Sequence, residues 1–230
     1  MKLTAWLTAL LAITFAGAPL VTAPFTGYRE DQLPVPQLDP PIQPEGYAFA
    51  IWGVIYLWLI ASTLFGALKR AEDPAWQATR PALIVSLLIG TFWLAIANAS
   101  AFWATITIFA MLATTLIALR NSPIQDRWLL RSPIALYAGW LSAASFVSLG
   151  ALLAGNAILT DAYGWALILI AAAALLAATV QWRELKAPEY GVAVAWAITA
   201  IAVKNSGAIL ILAAASTLII AALALRSARA

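Results

Sequence analysis

The side chains in this 230-residue chain best suited to engaging another molecule are aromatic. Phe49, Trp52 and Tyr56 lie at i, i+3 and i+7, a spacing that puts all three on one face of a helix. Tyr137 and Trp140 repeat the i, i+3 spacing, Trp93 falls in the middle of an apolar run, and Trp103 opens the next one. Indole and phenol rings combine a large apolar surface with one polar atom. Such a set suits a pocket for a flat apolar ligand, held by stacking and a few hydrogen bonds. The plainer reading of the same residues is packing between helices, and composition by itself leans slightly that way.

Other chemistries are closed off by what the chain lacks. It contains no Cys and no His, which excludes thiolate- or imidazole-bound zinc, haem held by Cys or His, Cys- or His-based catalysis, and disulfides. No nucleophile–base pair is visible, so an enzyme is not expected. No Asp or Glu falls within an apolar segment, which disfavours a proton relay or ion-coupled transport. Small-solute permeation would call for a discontinuous helix, with Gly53 and Gly139 as its natural positions. A third alternative is a ligand-free structural or assembly partner. Lys204, beside Asn205 at the end of an apolar run, is expected to snorkel to the interface. Ser142, Ser145 and Ser148 share a helix face and are expected to pack helices closely together.

The elements that must position these residues are membrane helices. Hydrophobic residues make up 63% of the chain and charged ones 10%, against about 25% charged in soluble domains. Residues 81–119 carry no charge, and neither do residues 132–160. Eight apolar segments are legible, at residues 3–21, 47–68, 81–97, 102–119, 132–153, 162–182, 190–203 and 208–225. Spanning helices need roughly 20 mostly apolar residues, and period-two alternation is absent. The expected fold is an all-α integral membrane bundle of eight transmembrane helices, or seven if the first segment is removed as a signal peptide. The Pro that follows Ala23 and the length of the run favour its retention. Pro81, Pro133 and Pro188 sit where helices should begin.

Charge fixes an expected orientation. With the N-terminus in the cytoplasm, every basic residue except Arg29 and Lys204 falls on the cytoplasmic side, 11 of the 13 in the chain. Both termini are then cytoplasmic, and the pattern suits a bacterial inner membrane. The only long connection, residues 22–46, is external and holds six prolines, so it should form a semi-rigid cover rather than a loose tether. Trp6, Trp76, Trp128, Trp165 and Trp182 lie near segment ends, as an interfacial belt requires.

The order of these features resembles the tryptophan-rich sensory protein / translocator protein family. The resemblance rests on Pro40-Pro41 ahead of a helix bearing Phe49, Trp52 and Tyr56 at the family's spacing, and on Tyr137-x-x-Trp140 behind Pro133. Asn98 and Trp103 parallel the family's Asn and Trp more loosely. The motifs cover the first five segments. The Asn that usually follows the second Trp is missing, and the three last segments have no counterpart in a five-helix fold. The resemblance therefore implies a five-helix unit over residues 1–155 followed by three additional helices over 156–230. It also implies a pocket under the 22–46 connection that accepts tetrapyrroles or other flat hydrophobic molecules. The implied ligand-binding residues are Phe49, Trp52, Tyr56, Tyr137 and Trp140, with Trp93 and Asn98, acting by stacking and hydrogen bonding rather than covalent chemistry, although some family members promote porphyrin breakdown. No metal, resident cofactor or nucleic acid is implied. The expected partners are the lipid bilayer and a porphyrin-like small molecule, and a homodimer is compatible.

Overall fold

A computed structural model describes residues 1–184 and 186–229. Among these residues the chain forms α1 (Lys2–Val21), α2 (Ile51–Lys69), a short α3 (Pro74–Gln77), α4 (Arg80–Ala99), α5 (Ala101–Asn121), α6 (Arg131–Gly155), α7 (Ala162–Arg183), α8 (Pro188–Lys204) and α9 (Gly207–Arg229). The described residues contain no strand. The chain is an all-helical membrane bundle. Seven helices are long and apolar enough to cross a bilayer: all but α3 and α8. The helix that falls short is not the first one. It is α8, whose 17 residues rise about 25 Å, against a hydrocarbon core of about 30 Å.

Local chemistry sets the helix boundaries. Pro188 opens α8, Pro81 and Pro133 fall within the first turns of α4 and α6, and none of the three is required to donate an intrahelical hydrogen bond there. Ser100 alone separates α4 from α5, and its Oγ accepts from the Trp103 N–H at 3.3 Å as an N-cap. Asp161 caps α7 through the Gly164 N–H at 2.8 Å. Gly207, at φ +61°, makes the turn into α9.

The packing makes two groups of helices with one member in common. Helices α1, α2, α6, α5 and α4 contact one another in a closed ring in that order, while α6, α7, α9 and α8 form a second group. The shared helix, α6, has 19 of its 25 residues buried. Its glycines admit close neighbours. A Cβ on Gly139 would run into the Tyr190 carbonyl oxygen of α8, and one on Gly155 would lie 2.6 Å from Leu33 Cδ1. A single hydrophobic cluster extends from Leu11 in α1 to Ile220 in α9, so the first five membrane segments and the last three share one core.

Three side chains occupy places the sequence does not suggest. Glu189, in the first turn of α8 behind Pro188, is buried. Its Oε1 accepts hydrogen bonds from Arg127 Nη2 at 2.6 Å and Ser132 Oγ at 3.0 Å, which compensates part of its removal from water, while Oε2 is buried without a partner among the described residues. Trp76 is buried within the protein. Its indole packs over Gly66 and donates to Asp126 Oδ2 at 3.1 Å. Arg131 is buried at the start of α6 and pairs with Glu184 at 2.8 Å.

Candidate ligand-binding chamber

Two adjoining chambers of about 300 and 380 Å³ lie between the 22–46 connection and the helices of the five-helix ring, with Ala197 of α8 also lining the first, and both fall within the range of roughly 300–1,000 Å³ for small-molecule sites. Phe25, Phe49, Trp93, Ile108, Trp140 and Ala144 line both and form the partition between them. The deeper chamber adds Phe15 from α1 and Trp52 and Tyr56 from α2. The outer one is roofed by the 22–46 connection, through Thr26, Gly27, Tyr28, Gln37 and Gln43. No charged side chain lines either chamber.

The aromatic wall combines edge-to-face, tilted and stacked contacts. The Trp52 ring stacks on Tyr56 at 5.2 Å and meets Trp140 edge-on at 6.0 Å. Phe49 meets Trp140 at 5.7 Å, and Phe15 bridges Tyr56 and Tyr137 at 5.0 and 5.6 Å. Such contacts hold rings in fixed orientations. Phe49 belongs to a 3-10 turn, Gly46–Ala50, that precedes α2, so it shares a wall with Trp52 and Tyr56 without sharing their helix.

Hydrogen bonding divides the aromatic residues into two sets. Trp93 donates to the Ala104 carbonyl at 3.1 Å. Tyr137, wholly buried, bonds Ser86 Oγ at 3.1 Å, and it lines neither chamber. Tyr28 bonds Ser148 Oγ at 2.6 Å, which in turn bonds Thr105 at 2.8 Å. Burial pushes the Tyr28 hydroxyl above the usual tyrosine range, so it keeps its proton. In contrast, Trp140 Nε1 is buried with no acceptor among the described residues. Trp52 and Tyr56 likewise make no side-chain hydrogen bond among the described residues. Three donors on the chamber wall are therefore uncommitted.

The roof is tethered at its edges. Asn98 Nδ2 donates to the Ala23 carbonyl at 3.0 Å, and Arg29 Nη1 donates to the Asn98 carbonyl at 2.7 Å. Asn98 thus holds the connection to the end of α4 and lines neither chamber. On the far side, Lys204 pairs with Asp39 and donates to the Pro40 carbonyl at 3.2 Å, and Asn205 donates to the Pro41 carbonyl at 2.8 Å. Lys204 is therefore bound to the roof. Trp196 Nε1 donates to the Ala48 carbonyl at 2.9 Å, fixing the turn that carries Phe49.

Of the seven residues expected to bind ligand, the structure gathers Phe49, Trp52, Tyr56, Trp93 and Trp140 around the chambers. It places Tyr137 behind the wall and Asn98 in the roof's anchorage. The sequence reading missed Phe15, Phe25 and Tyr28. The first lies in a segment read only for length, and the other two lie in a connection read only for its prolines. The serines of α6 do join elements: Ser142 bonds Tyr190 of α8 at 2.9 Å, and Ser145 bonds the Ile108 carbonyl of α5 at 3.4 Å. The helices are unbroken at Gly53 and Gly139.

A comparison with protein families matches the model described as TSPO-like protein over residues 3–226, α9 included. No curated protein and no solved structure matched the chain. The matched span takes in every helix that encloses the chambers and every helix packed behind them, and the chain belongs to the TSPO-like protein family.

Proposed function

We propose that the chain is a membrane receptor or carrier for a flat, largely apolar molecule that lies against Trp140 and Trp52 and presents hydrogen-bond acceptors to the wall. The observation that carries this reading is the contrast between committed and uncommitted donors. Trp93, Tyr137 and Tyr28 are tied into the protein, whereas Trp52, Tyr56 and Trp140 keep their N–H and O–H groups in reserve in an otherwise apolar cavity. Of the three, Trp140 Nε1 is the one fully buried, and a buried donor without an acceptor costs about 1–3 kcal/mol, a cost that a ligand acceptor would relieve. Tetrapyrroles have the required flat face and ring acceptors. A tetrapyrrole carboxylate would meet no cation in either chamber, so it must point to the amides of Gln37 and Gln43 beneath the roof.

The test is quenching of Trp fluorescence in the detergent-purified protein by protoporphyrin IX and by its uncharged dimethyl ester. The ester should bind at least as well as the diacid. Trp140→Phe should weaken both by roughly three- to tenfold, the worth of one hydrogen bond. Tyr137→Phe should change binding by less than about twofold, since its hydroxyl is already satisfied. Absence of saturable quenching by either compound, or quenching indifferent to Trp140→Phe, would refute the reading.

A further inference from the structure

We propose that the corner where α7 and α9 end is a binding site for the headgroup of an anionic phospholipid. The site lies on α7 and α9, outside the five-helix ring, and is independent of the chamber's ligand. Four basic residues at this end of the bundle have carboxylate partners: Lys2 with Glu72, Arg70 with Asp126, Arg127 with Glu189 and Arg131 with Glu184. Arg80 is spent on the carbonyls of Gly66, Arg70 and Ala71. The remaining six, Lys69, Arg120, Arg183, Lys186, Arg226 and Arg229, have no carboxylate partner among the described residues. Four of these six fall in one place: the last turn of α7, the α7–α8 connection and the last turn of α9. The Lys186 N–H donates to the Ser227 carbonyl at 3.1 Å, which sets that connection against α9.

The unpaired charge borders a groove. Ala178, Thr179, Trp182, Arg183 and Leu223 line a shallow recess of about 360 Å³ between α7 and α9. Its small residues leave room beside a helix surface that continues apolar through the exposed Leu175. The Arg226 guanidinium lies 3.7 Å from the centroid of the exposed Trp182 ring, which fixes it at the groove's polar end. The arrangement is thus an apolar trough that ends at an interfacial indole and two guanidinium groups. Guanidinium groups match phosphate oxygens in pairs, and an acyl chain fits the trough. A soluble anion would satisfy the charges and leave the trough empty. A phospholipid with a net negative headgroup satisfies both.

The test is native mass spectrometry of the full chain released from nanodiscs containing equal phosphatidylcholine and phosphatidylglycerol. The wild type should retain phosphatidylglycerol in preference. The double variant Arg183→Gln/Arg226→Gln should retain roughly thirtyfold less of it, given the contribution of each basic side chain beside an anionic lipid. Lys69→Gln/Arg120→Gln removes the same charge from the same end of the protein and should change retention by less than about twofold. All four residues are exposed, so both variants should fold, as circular dichroism would verify. Equal retention of the two lipids by the wild type, or equal loss in the two double variants, would overturn the proposal.

Discussion

Gly53 and Gly139 look alike in the sequence, each a glycine inside an apolar helix next to a key aromatic, yet alanine should act oppositely at the two. At Gly53 nothing lies within 4 Å of an added Cβ. Only intrinsic helix preference then changes, and alanine is favoured by up to about 1 kcal/mol. At Gly139 the added carbon would overlap the Tyr190 carbonyl oxygen and lie 2.9 Å from Ala193 Cβ and 3.0 Å from the Tyr190 carbonyl carbon. The first and last of these atoms are backbone, so no rotamer change relieves them and α8 must back away from α6. Overpacking of this kind costs about 1–3 kcal/mol, and a rigid backbone puts it at the upper end. After the gain in helix preference, the net loss is about 2 kcal/mol. For a chain of this size each kcal/mol moves an unfolding midpoint by about 2–4 °C. Gly139→Ala should therefore lower the apparent Tm in detergent by about 4–8 °C, and Gly53→Ala should raise it or leave it unchanged. Adding Ala193→Gly to Gly139→Ala removes one contact of three and should restore only part of the loss. Equal behaviour of the two alanine variants would refute the close α6–α8 contact and the single core built on it.

Two further outcomes are expected. Tyr28→Phe leaves the Ser148–Thr105 pair without its roof partner, so the 22–46 connection should loosen and trypsin should cleave after Arg29 several times faster. Unchanged cleavage would show that this hydrogen bond does not hold the roof. Asp126 is held below the ordinary aspartate value of 3.8, first by its hydrogen bond from Arg70 and then by that from Trp76. A carboxyl whose pKa is lower folded than unfolded contributes stability above its unfolded pKa, and that contribution fades as pH falls through the folded value. The apparent Tm should therefore drop on acidification below about pH 4, and the drop should be smaller in Asp126→Asn. An equal drop in both proteins would place the acid sensitivity elsewhere.

Some of this was legible in the residues alone. Long uncharged runs leave no soluble option for the backbone, because burying that much apolar surface requires either lipid or a far larger protein. Helix starts were readable from Pro81, Pro133 and Pro188, since proline's missing donor costs nothing in a first turn. The i, i+4 pair Trp52 and Tyr56 had to share a face, and they do. Length marked residues 190–203 as the shortest segment, but neither length nor hydropathy could show that α8 is enclosed, or that a glutamate at its start is buried against an arginine 62 positions away.

What tertiary structure decided was the allotment of roles among similar side chains. Periodicity ranks Tyr137 with Trp140, but one faces Ser86 behind the wall and the other lines the chambers, because adjacent turns of a helix buried on all sides meet different neighbours. Asn98, a binding candidate by analogy, anchors the roof because the chain turns there beside Ala23. Phe15, Phe25 and Tyr28 reach the chamber only through long-range closure of α1 and the 22–46 connection, which no local spacing encodes. The sequence by itself determined the solvent, the helices and the aromatic chemistry, since these follow from composition and short-range period. Which aromatics keep a free hydrogen-bond donor depended on contacts between distant segments, and those exist only once the bundle has closed.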